Sequence, residues 1–246
     1  MLRSILISGL LGGFAAGLLA AVLHLLLVQP VLLEAERYES GELVHRSAVV
    51  ADQDHADPAI AGGKVAEPPP LASTFEPRRA GLTALSFGLA YAGFGLLLAA
   101  AMAAAEVRGH PSSLSTGLAW GAAGWVAVQL APALGLPPEL PGMAGADLTA
   151  RLGWWAATAA TTALGLAVLA FGRGWPVLAG GLALMVSMHV LGAPTPQTFT
   201  GPAPPELAAL FAARALGVGL TVWLALGWGV AALHHGTAGK VQPRVT

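Results

Sequence analysis

The sequence predicts an all-α fold, a polytopic bundle of transmembrane helices, and three observations carry that prediction. Hydrophobic residues make up 55% of the chain and charged residues only 10%. A soluble domain carries about 25% charged residues, so this chain cannot cover itself with a water-compatible surface. Mean hydropathy is +0.68, and the apolar residues gather into long runs of the kind that cross hydrocarbon, for which about 20 residues are needed.

Six such runs are read, at 4–29, 81–105, 115–133, 152–171, 175–191 and 207–233. The first opens "MLRS" like a signal peptide, but its apolar run of about 25 residues exceeds the usual h-region of 7–15. It reads as a retained helix. The fifth run is short, and its border with the fourth, "FGRGWP", is tight. Five spans, with that pair partly re-entrant, is the alternative to six. The chain, 1–246, then forms a single integral membrane domain, with a polar extracytoplasmic loop at 30–80. The later connections "GLPPELPGMAGADLTAR" and "GAPTPQTFTGPAPPE" are rich in proline and glycine, as turns without helix require.

Charge divides the connections. With six spans, twelve of the thirteen carboxylates fall on the face of the loops at 30–80, 134–151 and 192–206, leaving Glu106 on the other. Lysine and arginine number five on the face of the termini and six opposite, five of those six in the long first loop. The positive-inside rule weakens in loops of that length, so the N- and C-termini are read as cytoplasmic. Net charge of −1 gives no basic footprint for nucleic acid. Absence of cysteine removes disulfides, thiolate metal ligands and cysteine nucleophiles. No phosphate-binding glycine loop, HExxH or GxSxG occurs. A transporter or transporter subunit fits better than an enzyme.

Several polar residues approach the acidic face from within the spans. Gly9, Gly13 and Gly17 repeat every fourth residue, which lets a second helix come close, and His24 returns to that stripe two turns later. Gln129 precedes Pro132 by three residues, and His189 precedes Gly192 by three. Met185, Met188 and His189 share a helical face. Just outside the first span stand Glu34, Glu36, Glu39 and Glu42, and Glu139 and Asp147 lie in the third connection. Concentrated carboxylates raise the local cation concentration and supply hard oxygen ligands. Farther along the first loop, His45, Asp52, Asp54, His55 and Asp57 read as a loose acidic tract without zinc-site spacing. The expected metal-approach residues are therefore His24, Glu34, Glu36, Glu139, Asp147 and His189. Arg214, inside the last span, either snorkels or pairs with a carboxylate such as Asp147 or Glu139. Pairing is favoured, because an unpaired arginine at depth costs about 2.5–3.5 kcal/mol on the insertion scale. His234 and His235 read as a polar C-terminal edge.

Three segments, "VQPVLLEAERYE", "APALGLPPELPGMAGADLTARLGWWAATAATTALGL" and "GAPTPQ" with "PPELAALFAARALGVGLTVWLALG", resemble the CbtA family of membrane subunits in a bacterial cobalt uptake system. The resemblance implies five or six helices in the bacterial inner membrane. It also implies a small single-span partner of the CbtB type with a histidine-rich end. Family members often carry a histidine-rich first loop, whereas this one holds two histidines. Residue by residue, it extends to Glu34, Glu36, Glu39, Glu139, Asp147 and Arg151.

Together these readings give the integral-membrane subunit of a divalent-metal, cobalt-type uptake transporter, with no permanently bound cofactor and Co²⁺ as the transported ion. Its expected partners are the lipid bilayer and the CbtB-type subunit, with a homo-oligomer left open. Co²⁺ accepts imidazole, carboxylate and water without thiolate. The second reading is a non-transporting membrane scaffold for a metal-handling partner, with Gly9, Gly13 and Gly17 as its groove. A third is an intramembrane enzyme using Glu139 and Asp147 as acid and base.

Overall fold

The computed structural model describes residues 2–43 and 76–238, with side chains through His234. The tract from His45 to Asp57, and Lys240 and Arg244, lie outside the described residues. Within them all regular structure is helical. Six helices follow in order: α1 (Leu2–Glu39), α2 (Pro77–Val107), α3 (residues 114–133), α4 (Leu148–Phe171), α5 (Trp175–Leu191) and α6 (Pro205–Ala238). By length and composition α1, α2, α4 and α6 each suffice to cross a membrane. The 17 residues of α5 span about 26 Å at 1.5 Å per residue, just short of the ~30 Å hydrocarbon core.

One boundary departs from expectation. Pro30 does not end the first helix, which continues to Glu39. Proline lacks an N–H, and its ring clashes with the carbonyl four residues earlier. Here the helix widens into a π-turn over His24–Val28, closed by the Gln29 N–H on the His24 carbonyl. The same device precedes Pro132, where Val126–Leu130 form a π-turn closed by Ala131 N–H on the Val126 carbonyl. Glu34, Glu36 and Glu39 thus belong to a rigid helical extension.

Elsewhere the ends follow local chemistry. Asp147 caps α4 by accepting from the Ala150 N–H at 2.9 Å, and Ser113 with Thr116 forms a reciprocal capping box on α3. The reversal between α4 and α5 passes through Gly174 at φ 85°, a backbone conformation that side chains with a Cβ rarely adopt.

Small residues line the closest helix contacts, and many large apolar residues face outward. Ala20, Ala35, Ala99 and Ala231 are buried, while Leu85, Leu89, Leu97 and Leu182 are exposed. That inversion suits a hydrocarbon solvent, in which helices gain by close backbone approach rather than by hiding leucine. The glycines of α1 face α2: a Cβ on Gly9, Gly13 or Gly17 would strike Leu96, Tyr91 with Ala92, or Gly88 respectively. Each step of four up α1 meets a step of four down α2, so the pair is antiparallel. The contacts of Gly117 with Gly227 and of Gly121 with Trp223 repeat the pattern between α3 and α6. Gly165 and Gly181 join α4 to α5. The small-residue groove expected for an outside partner is therefore filled by α2 of the same chain. Tyr91, Phe94 and Trp223 close the centre, with Phe94 and Trp223 ring centroids 5.1 Å apart.

Two outcomes are expected for stability in detergent, measured as the thermal unfolding midpoint. Gly13→Leu should destabilise by about 3 kcal/mol or more through overpacking, whereas Gly93→Leu, with nothing within 4 Å of its Cβ position, should not. Asp147→Ala should cost about 1 kcal/mol through the lost cap.

Candidate cation approach at the loop-rich end

Residues 40–43 after α1 and the connections 134–147 and 192–204 meet at one end of the bundle. Between the end of α1, the latter two connections and the start of α6 lies a cavity of about 1050 Å³, lined by Tyr38, Leu140, Met143, Phe199, Ala208 and Glu139 among others. A second cavity, about 360 Å³, is lined by Gln129 and Pro132 of α3, Arg151 and Trp155 of α4, Leu216 of α6 and again Glu139. It therefore reaches inward along three spans. A third recess, about 420 Å³ among α2, α3 and α4, has no charged residue in its lining.

Glu139 is the carboxylate shared by the first two cavities. "PPELPG" places it: the prolines stop α3 and hold the chain extended, so the side chain turns back towards the first turn of α4. There Arg151 donates to its Oε2 at 2.6 Å, with both side chains about three-tenths exposed (29% and 28%). Gly145 leaves the room, since a Cβ there would lie 2.8 Å from the Arg151 guanidinium. Deeper in the second cavity stands Gln129, inside the α3 π-turn. Gly219 of α6 opens a notch for its amide, which approaches the Tyr91 hydroxyl. The Gln129 Oε1 is buried and accepts no hydrogen bond from the described residues. A desolvated carbonyl oxygen without a donor is costly and is a ready hard ligand for a cation.

The other residues singled out by sequence occupy separate positions. His24 opens the π-turn of α1 and lies against Phe87, ring centroids 5.2 Å apart. Glu36 accepts from Arg79 at 2.8 Å, tying the α1 extension to the start of α2. Glu34, one turn before Tyr38, has no ion pair among the described residues. Asp147 is committed to its cap. His189, in the last turn of α5, lies 5.9 Å from the Trp154 ring, and its buried Nδ1 has no partner among the described residues. Among those residues no three histidine or acidic side chains gather as a metal cluster. Glu139 and Asp147 are engaged with different groups rather than with each other.

Arg214 is a correction. It pairs with neither Glu139 nor Asp147 but donates to the Leu27 carbonyl at 2.9 Å. That carbonyl lies within the π-turn that precedes Pro30. The second π-turn is served in the same way, by the Trp155 indole N–H on the Val128 carbonyl at 3.2 Å. Sequence reasoning noticed Pro132 and Arg214 without connecting either to a π-turn. It also read His234 as a polar C-terminal edge, whereas the residue is buried between Ser4 and Glu106. Glu106, as the single acid on its face, was the available signal.

No curated protein and no solved structure matches the chain. A family described as "Probable cobalt transporter subunit (CbtA)" matches residues 2–235. With its span of apolar helices and a match of that extent, the chain belongs to the CbtA family of membrane proteins.

Proposed function

We propose that the chain takes up divalent cobalt through the loop-rich end, which faces outward in the bacterial inner membrane while both termini face the cytoplasm. The observation that carries this reading is Glu139, a carboxylate lining both the outer and the inner cavity and held by a single arginine. Acidic side chains around the outer cavity raise the local cation concentration. A hydrated cation then competes with Arg151 for Glu139. The exchange is accessible because the pair is partly solvated, where an ion pair is worth about 0–1 kcal/mol. Once Arg151 releases it, the carboxylate presents an oxygen to the cation, and the Gln129 amide oxygen is the next acceptor inward.

In this scheme Glu34, which has no ion pair among the described residues, is a carboxylate at the approach, and His24 and His189 are the imidazoles offered to the cation. Glu36 and Asp147 act by charge, since Arg79 and the α4 N-terminus already engage their oxygens. Carboxylate, amide and imidazole all suit Co²⁺. The family description as a subunit supports a second component, for which a small histidine-rich single-span protein is the fitting form.

Cellular cobalt content, measured with the chain alone and with that small subunit, should rise in at least one case. Unchanged accumulation in both would sink the transport reading. Glu139→Gln should lower uptake roughly tenfold, the scale of a lost supporting group at a metal site, with membrane levels preserved. The reciprocal swap, Glu139→Arg with Arg151→Glu, should recover thermal stability but not uptake, because the carboxylate then leaves the outer cavity. Normal uptake by Glu139→Gln would return this residue to a purely structural role.

A further inference from the structure

The recess among α2, α3 and α4 has no part in the cation approach. Small residues hollow it out: Ala119, Ala123, Gly124 and Ala127 form its α3 wall. The Trp223 ring of α6 closes the floor, where a Cβ on Gly124 would strike it. Leu97 of α2 and Phe171 of α4 belong to the lining and are exposed, so the recess opens sideways to the surface of the bundle. The single hydroxyl in the lining, that of Thr116, is held by the α3 capping box.

Its length is that of one leaflet. Along α3 the lining runs from Thr116 to Val128, about 18 Å at 1.5 Å per residue, against a hydrocarbon half-thickness of about 15 Å. Thr116 lies in the first turn of α3, so the recess starts at the end of the bundle where α2 turns into α3. Spread over that length, about 420 Å³ leaves a channel about 5 Å across. A helix with its side chains is about 10–12 Å across and cannot sink into such a channel. A single hydrocarbon chain can.

The mouth is basic. Leu97, Ala101, Ala104 and Arg108 share one face of α2 by their spacing of four, three and four. The first two line the recess, and the Arg108 guanidinium folds back to donate to the Ala104 carbonyl at 3.0 Å. Arg108 thus stands at the outer end of the α2 wall. His110 lies against Phe171 at the α4 edge, ring centroids 4.9 Å apart, and Arg173 follows Phe171 by two residues and is exposed. Glu106, the acid at this end among the described residues, is engaged elsewhere, its Oε2 3.0 Å from His234 Nε2. An apolar slot one leaflet deep, with arginine at its mouth, complements an amphiphile with a negative headgroup.

We propose that this recess seats an acyl chain of one anionic phospholipid, with Arg108 and Arg173 beside its phosphate. The chain fills the space between α2 and α4 and so ties the α4–α5 hairpin to the rest of the bundle at the end remote from Glu139 and Arg151. In the orientation proposed above the lipid comes from the cytoplasmic leaflet. The site itself rests on this geometry and holds whether or not the chain carries cobalt.

Native mass spectrometry tests it, on the full chain released from vesicles of equal palmitoyl-oleoyl phosphatidylglycerol and phosphatidylcholine. One phosphatidylglycerol per chain should be retained in excess over phosphatidylcholine. Each basic side chain near an anionic headgroup is worth about fivefold in affinity, so Arg108→Gln/Arg173→Gln should lower the preference about twenty-fivefold. Both side chains are exposed, which leaves the packing intact. Ala167→Phe, which fills the recess, should abolish retention, whereas Leu182→Phe on an exposed face of α5 should not. Added phosphatidylglycerol should also raise the thermal unfolding midpoint of the parent but not of the arginine variant.

Equal retention of the two lipids, or an unchanged preference in the arginine variant, overturns the headgroup site. Full retention by Ala167→Phe overturns the recess as the seat of the chain. So does an equal rise in midpoint with glycerol phosphate, which carries the charge without acyl chains. A second copy of the protein retained by the parent and lost in Ala167→Phe would make the recess a contact between copies and overturn the lipid.

Discussion

Within hydrocarbon a backbone carbonyl has no water to turn to, and each one left unpaired costs several kcal/mol. Pro30 and Pro132 impose that problem on α1 and α3. Both helices respond by widening into a π-turn, and both turns receive a side-chain donor from another helix, Arg214 of α6 and Trp155 of α4. The rest of this end of the bundle depends on the solution. A π-turn shifts the facing of every later residue, so the Glu34–Glu39 extension and Gln129 sit where they do because of it. α4 and α6 are also drawn against the prolines of their neighbours, which shapes the inner cavity around Gln129, Pro132 and Leu216.

Glycine supplies the complementary constraint. The α1–α2 and α3–α6 pairs approach until backbone meets backbone, as the occupied Cβ positions at Gly13, Gly17 and Gly121 show. Such contacts gain dispersion energy and tolerate little sliding. Polar groups at the ends of these helices are therefore held by rigid bodies rather than by loops, which fixes the register of Glu36 with Arg79 and of Glu106 with His234. The α4–α5 hairpin joins through Gly165 and Gly181 and leaves Leu164, Leu178 and Leu182 exposed, so its outer face is given to lipid.

The sequence made this much legible because two of the signals are local. Apolar runs revealed the helices, and the four-residue glycine repeat revealed which side of α1 is approached. Asp147 ahead of an apolar run was a capping pattern as well as an acid, and the cap is the role its oxygen takes. The misreadings involve contacts that no local pattern carries. Pro30 reads as a helix end unless one knows that Arg214, 187 residues away, will serve the Leu27 carbonyl. His234 reads as a polar edge because its partners lie 230 and 128 residues earlier. Glu139 stood out by composition, but its place between two cavities depends on how the connections 134–147 and 192–204 fold against the end of α1.

The two polar contacts of α6 bear on how such a bundle can open. Arg214 and His234 are about 20 residues apart, which along a helix is about 30 Å, the thickness of the hydrocarbon core. α6 is thus held at two points that far apart, to the Leu27 carbonyl at one and to Ser4 and Glu106 at the other. Between them, α1 and α6 meet through Gly12 against Gly229 and Val230. Contacts this far apart contribute nearly independently, so releasing both ends costs close to the sum of the two. States with one end released and the other held are favoured over a state open throughout. That ordering of states follows from placing the polar contacts of one helix far apart along its length.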